Sequence, residues 1–324
     1  MAQTLIDSAS GAFLEAMRAG GGKPMDELPV DEVRANVRGA SQQLAPPPAA
    51  VERVEDRRIP VPGGDIGVRI YTPRRRDAVA ELPIVLHFHG GGWVAGDLDT
   101  HDAIARFYSA HADAIVVSVD YRQPPEHKAP AAAEDSYAAV EWAAEHASEI
   151  SGDRDRLAVV GDSAGGNLAT VVCRLAKERG GPRISYQALV YPAVDLRDPV
   201  DDPKYPSRSQ FGQGDYFISM RDMAWFRGHY LGDVTREPHD PRVSPIAAAD
   251  LRGLPPALIV TAGCDVFRDE GRAYADRLAA DGVPVEYRCF EGTIHAFMSF
   301  AGVIPMGVEG LSFVASRLKQ NLTQ

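Results

Sequence analysis

The chain has 324 residues, 45% of them hydrophobic, and a formal net charge of −11. That acidity argues against a nucleic-acid partner, and no run of about 18 apolar residues is present to span a membrane. Three cysteines (Cys173, Cys264 and Cys289) are too few and too scattered for a disulfide framework or a zinc site. They are expected as reduced thiols, although Cys264 and Cys289 lie near the ends of two strands that could be neighbours and could then pair. The opening Met1-Ala-Gln-Thr-Leu-Ile-Asp7 has neither a basic n-region nor a long apolar h-region, so no secretory leader is expected and the chain reads as cytoplasmic.

Taken in order, Leu5, Ile6, Ala9, Phe13, Leu14 and Met17 recur at helical spacing and predict an amphipathic helix that Gly20-Gly-Gly22 stops. A second short helix is expected over 31–39, with Val33 and Val37 on one face, and Pro46-Pro-Pro48 marks a boundary. An arm with such apolar faces must cover something. Strands are expected over 54–61 and 66–71 as a hairpin, then over 82–88 and 114–120, with helices over 101–112 and 131–150. A further strand is expected over 184–191. Residues 195–240 break the alternation with Pro, Gly, Asp and aromatics, and read as an insertion with its own packing and one helix near 219–230. Alternation resumes with a strand over 257–262, a helix over 269–281, a strand over 285–290 and a last helix over 306–319. This order predicts an α/β fold with a mostly parallel sheet covered on both faces.

One stretch organises the rest. The apolar run from Leu157 ends in Gly161-Asp162-Ser163-Ala164-Gly165, a G-x-S-x-G match, and a helical run follows from Asn167. Strand, tight turn and helix with serine at the apex is the geometry of a nucleophile elbow. Side chains at 161 and 165 would crowd the neighbouring strand and helix. Such a serine needs a base, and the base needs an orienting acid. His295 lies just past the last strand, whereas His229 and His239 fall in the insertion. Asp265 leaves the preceding strand first and is the preferred acid. Asp269 and Glu270 are its alternatives, and read otherwise as charges that complement a helix N-terminus. The glycine run after His89 lets bare backbone approach a substrate, as amides aimed at an oxyanion require, and Ala164 follows the nucleophile and adds another N–H.

Together, His89-Gly-Gly-Gly-Trp93, Asp120-Tyr-Arg122 with Pro125-Glu-His127, Gly161-Asp-Ser-Ala-Gly-Gly166, Asp265-Val-Phe-Arg-Asp-Glu270 and His295-Ala-Phe297 resemble the hormone-sensitive-lipase family of α/β-hydrolases. The G-D-S-A-G form looks like that of its bacterial esterases. The resemblance covers roughly residues 50–320. It implies an eight-stranded sheet whose core (51–194 and 241–324) carries a helical cap built from the arm (1–50) and the insertion (195–240). It implies Ser163, Asp265 and His295 as catalytic residues and Gly91, Gly92 and Ala164 as oxyanion donors, with Gly90 shaping the turn. Two departures stand out: Gln123-Pro124 where the family tends to have Leu-Ala, and Cys264 and Val266 flanking the acid. Neither removes a catalytic group.

The implied activity is serine carboxylesterase action on short- to medium-chain acyl esters through an acyl-enzyme, without cofactor or metal. A lipase, an amidase or deacetylase on the same triad, and a non-catalytic receptor on the same fold are the alternatives. The last of these needs a broken triad. Because aromatics cluster in the insertion and beside the catalytic loops, Trp93, Tyr191, Phe211, Tyr216, Phe217, Trp225 and Phe297 are expected to line the acyl and alcohol pockets, with plain cap core as the other role for each. The resemblance also makes a homodimer through the last strand an expectation.

Overall fold

The computed structural model describes residues 6–74, 81–197, 204–232 and 237–323. Leu5, read into the first helix, and parts of the 195–240 insertion lie outside the described residues.

The arm comes first. Asp7 caps α1 (Ser8–Gly20), its Oδ1 accepting the amides of Ala9 at 2.9 Å and Ser10 at 3.0 Å. Helix α2 (Val30–Leu44) outruns the expected 31–39: Gly39 does not break it, and it ends where Pro46 restricts Ala45. Strands β1 (Arg53–Val61) and β2 (Gly64–Thr72) form the expected hairpin, and β3 (Leu82–Phe88) is buried along nearly its whole length. Then follow α3 (Asp102–Ala112), β4 (Ile115–Asp120) and α4 (Ala131–Glu145), the last shorter than predicted because residues 147–150 tighten into a single 3₁₀ turn. Strand β5 (Gly152–Asp162) begins earlier than its apolar run. Helix α5 (Ala164–Arg179) starts immediately after the serine rather than at Asn167, so both glycines after Ala164 belong to its first turn.

Strand β6 (Tyr186–Val190) leads into the insertion, which holds α6 (Pro206–Phe211), unforeseen from the sequence, and α7 (Met220–Leu231), capped by Ser219 with Asp222 in a reciprocal box. The core resumes with β7 (Ala257–Cys264), α8 (Arg268–Ala280), β8 (Val285–Ile294) and α9 (Pro305–Leu322). Strand β8 runs on through a register shift into Glu291–Ile294, a stretch expected as loop.

The eight strands form one sheet in the order β1-β2-β4-β3-β5-β6-β7-β8, parallel from β4 to β8, with β2 antiparallel to both its neighbours. Helices α3 and α9 pack on one another, as do α4 and α5, and β5 and β6 are each touched by α5 and by α9. Both faces are thereby covered, which is why the central strands are continuous apolar runs. Strand β8 forms one edge. All three cysteines are free thiols; Cys264 pairs in the ladder with Ile294 and Cys289 with Thr261, so the two do not face one another. Among the described residues no helix is long and apolar enough to cross a membrane.

Arm and insertion meet each other above the C-terminal ends of the strands. Phe13 of α1 stacks on Phe300 at 4.7 Å and tilts against Phe217 at 6.2 Å, Arg18 donates to the carbonyl of Asp215, and Arg221 pairs with Asp26 and, at 3.3 Å, with Glu27. Two acidic side chains of α8 tie the insertion down, and neither serves simply as a helix-end charge. Asp269 Oδ2 accepts the Ser207 amide at 2.8 Å. Glu270, fully buried, accepts the Asp195 amide at 2.7 Å and a hydrogen bond from Arg208 Nη2 at 2.7 Å. Burial pushes the Glu270 carboxyl up to about 7, against the pull of the guanidinium.

Glu270→Ala would leave the Arg208 charge buried without this carboxylate and is expected to cost about 3–5 kcal/mol in urea unfolding. The volume-matched double variant Glu270→Leu/Arg208→Met should recover most of that loss.

Candidate active site

The serine at the end of β5 sits in a backbone conformation that L-residues rarely adopt, φ 56° and ψ −118°. Such a conformation costs of order 1–3 kcal/mol and persists only where the surroundings enforce it. Here the Ser163 amide donates to the Val190 carbonyl of β6 at 2.8 Å, and the Ser163 carbonyl accepts from Asn167 at 3.1 Å and Ala193 at 3.3 Å. The two motif glycines are sterically required: a Cβ on Gly165 would lie 1.9 Å from the Phe88 carbonyl oxygen, and one on Gly161 would lie 2.2 Å from that of Gly165. Strand β3, the turn and α5 are pressed together at backbone distance.

His295 follows β8 directly, and Asp265 follows β7. His295 Nε2 lies 3.0 Å from Ser163 Oγ, and Nδ1 lies 2.7 Å from Asp265 Oδ2. Asp265 is almost wholly buried, and its other oxygen accepts the Phe267 amide at 3.1 Å. The imidazole is wedged between rings, Tyr191 edge-on at 4.9 Å and Phe267 tilted at 5.2 Å. An imidazole so placed can take the hydroxyl proton while the buried carboxylate fixes its orientation. The three side chains expected together are together. Of the alternative acids, Asp269 and Glu270 are engaged with the insertion, as described above.

The glycine run leaves β3 beside this group. Gly91 accepts from Val94 at 3.1 Å and Ala95 at 2.9 Å, and Gly90, Gly91, Gly92, Ser163 and His295 share one cavity of about 550 Å³. Ala164, fully buried, opens α5, so its amide is among the N–H groups a helix leaves unsatisfied at its start.

The cavity wall differs from the sequence expectation. Phe217 lies on it, but Trp93, Tyr191, Phe211, Tyr216, Trp225 and Phe297 do not. Trp93 is buried and stacks on Tyr230 at 4.4 Å; Phe211 meets Tyr216 edge-on at 4.9 Å; Trp225 rests against His229 on α7. Tyr191 and Phe297 sit behind His295, facing each other at 5.8 Å. The wall is supplied largely by the arm (Phe13, Met17, Val33, Val37 and Leu44), together with Ile218, Phe226 and Phe300. The signal for these residues was the helical spacing that left Phe13, Met17, Val33 and Val37 on faces with nothing yet to cover. Among the described residues no group of His, Cys, Asp and Glu is arranged to hold a metal ion.

Comparison with known proteins agrees with this architecture. A family model described as alpha/beta hydrolase fold matches residues 85–299. The chain is 42% identical over 309 residues to the carboxylic ester hydrolase LipN of Mycobacterium tuberculosis, covering 93% of this chain and 80% of that protein. It is 41% identical over 312 residues to the carboxylesterase NlhH of the same organism, covering 92% and 94%. The solved structure of a hyperthermophilic esterase from Pyrobaculum calidifontis is 38% identical and superposes with a TM-score of 0.90 over 98% of each chain. The chain belongs to the alpha/beta hydrolase fold family, in its hormone-sensitive-lipase branch.

Proposed function

We propose that the chain is a carboxylic ester hydrolase acting on short- to medium-chain acyl esters through a covalent acyl-enzyme. The observation that carries this reading is the pair of hydrogen bonds running from Asp265 through His295 to Ser163 at the floor of the cavity. The relatives' activity as ester hydrolases supports it.

In the first step His295 Nε2 takes the Ser163 proton as Oγ attacks the ester carbonyl. The carbonyl oxygen becomes an oxyanion facing the amides of Gly91, Gly92 and Ala164. Loss of one such donor typically costs about 100- to 1000-fold in rate. His295 then returns the proton to the leaving alcohol, and the acyl group remains on Oγ. A water molecule, deprotonated by the same nitrogen, attacks the acyl-enzyme and releases the acid. Asp265 keeps Nδ1 protonated and stabilises the imidazolium of each step.

The wall argues for the acyl class. Phe13, Phe217 and Phe300 pack mutually and all face the cavity, Phe217 meeting Phe300 edge-on at 4.9 Å. They come from the arm, the insertion and the segment after β8, and they close off apolar space for a chain of limited length.

Two outcomes are expected. Ser163→Ala lowers ester turnover by at least about 10⁴-fold with an unchanged melting temperature; substantial activity in this variant would remove Ser163 as nucleophile. Phe217→Ala, or Phe300→Ala, shifts the acyl preference toward longer chains, raising the kcat/KM ratio of decanoate over butyrate esters about tenfold. A uniform loss across a series from acetate to laurate would instead assign these rings to packing alone.

A further inference from the structure

Beneath the glycine run lies a polar cluster that the reaction scheme above leaves unused. The Gly90 amide donates to Asp162 Oδ1 at 3.0 Å and to His101 Nε2 at 3.3 Å, and that nitrogen is itself 3.4 Å from Asp162 Oδ1. All three residues are buried. The contact is tight: a Cβ on Gly90 would lie 2.3 Å from Asp162 Oδ2. On its other side the Gly90 carbonyl lies 2.8 Å from His89 Nδ1, and Tyr121 donates to the His89 carbonyl at 2.8 Å. The peptide that starts the run is therefore held from both sides, and one of its holders directly precedes Ser163.

Asp162 poses an electrostatic difficulty. A carboxylate buried next to the place where an oxyanion develops opposes that charge. Three imidazoles surround it, with His87 and His89 centred 5.8 and 5.5 Å from His101. Burial pushes His87 down to about 3 and His89 to about 4, so both are neutral. His101 is the one placed against the carboxylate. Thr100 Oγ1, 3.0 Å from His101 Nδ1, anchors the ring from its far side, and Nε2 is left to accept from the Gly90 amide. Burial alone would raise the Asp162 carboxyl, yet the contact with His101 holds it below the ordinary carboxylate value.

We propose that His101 is a positioning residue that, together with Asp162, fixes Gly90 and with it the glycine run at the oxyanion site. The proposal rests on the ester-hydrolase reading. If the unaltered protein, correctly folded, turned over no ester, that reading would fail first; the variants below test the proposal alone.

His101→Leu is expected to lower kcat about 100-fold with KM little changed, the size of effect that misplaced catalytic geometry produces. The same variant should weaken a trifluoromethyl ketone, which Ser163 converts to a hemiketal oxyanion, by a matching factor. Because His101 and Asp162 accept from the same amide, the losses in His101→Leu and Asp162→Ala should not add. The double variant should fall short of the product of the single losses by about tenfold, a coupling within the usual range for residues in contact. Simply additive losses, a loss confined to KM, or unchanged ketone affinity would overturn the proposal. If His101→Leu does not fold, the comparison of Asp162→Asn with Asp162→Ala decides. Near-full activity in the first with a large kcat and ketone-affinity loss in the second supports the proposal, and equal losses defeat it.

Discussion

One imidazole has to meet two partners at once, and the architecture can be understood as the means of arranging that. His295 touches a hydroxyl 132 residues away and a carboxylate 30 residues away, at 3.0 and 2.7 Å. Strands β5, β7 and β8 deliver the three groups because they run parallel, so their C-terminal ends share one rim. Parallel strands in turn need both faces covered, which accounts for the helical layers and the continuous apolar cores of the strands. The turn at Ser163 depends on the same sheet: β6 holds its amide, and β3 approaches so closely that only glycine fits at 165.

Three of the buried carboxylates mark the path from this rim outward, and each faces a basic side chain. Asp265 faces His295, Asp162 faces His101, and Glu270 faces Arg208. A buried charge without a partner is strongly destabilising, so some partner is needed in every case. The kind of partner differs with location. At the cap junction it is a guanidinium, which never gives up its charge and so acts as a fixed tie. At the two places beside the cavity it is an imidazole, whose other ring nitrogen meets a second group, Ser163 for His295 and Thr100 for His101.

Much of this was legible in the chain. Alternation of strand and helix gave the sheet, and the order of serine, aspartate and histidine after successive strands gave residues that do converge. The cavity wall was misread for a physical reason. A large aromatic in the insertion says that area will be buried, not which neighbour buries it. Phe211, Trp225 and Trp93 spend their area on cap and core packing, while the wall comes from a pair of arm helices whose apolar faces were plain but whose target was not. Glu270 was only half legible. It does stand in the first turn of α8, but its partner Arg208 lies 62 residues earlier, beyond any local pattern.

The docking of α1 also bears on how the molecule is made. Its Asp7 amide binds the Gly292 carbonyl and its Phe13 stacks on Phe300. Translation proceeds at about 5–20 residues per second, amino end first. The apolar stripe of α1 must therefore wait some tens of seconds after it is made, until the segment around Gly292 and Phe300 has been extruded. Sealing of the cavity is in that sense a late event relative to synthesis of the arm, which has that interval in which to be held by a chaperone or to stick to its neighbours.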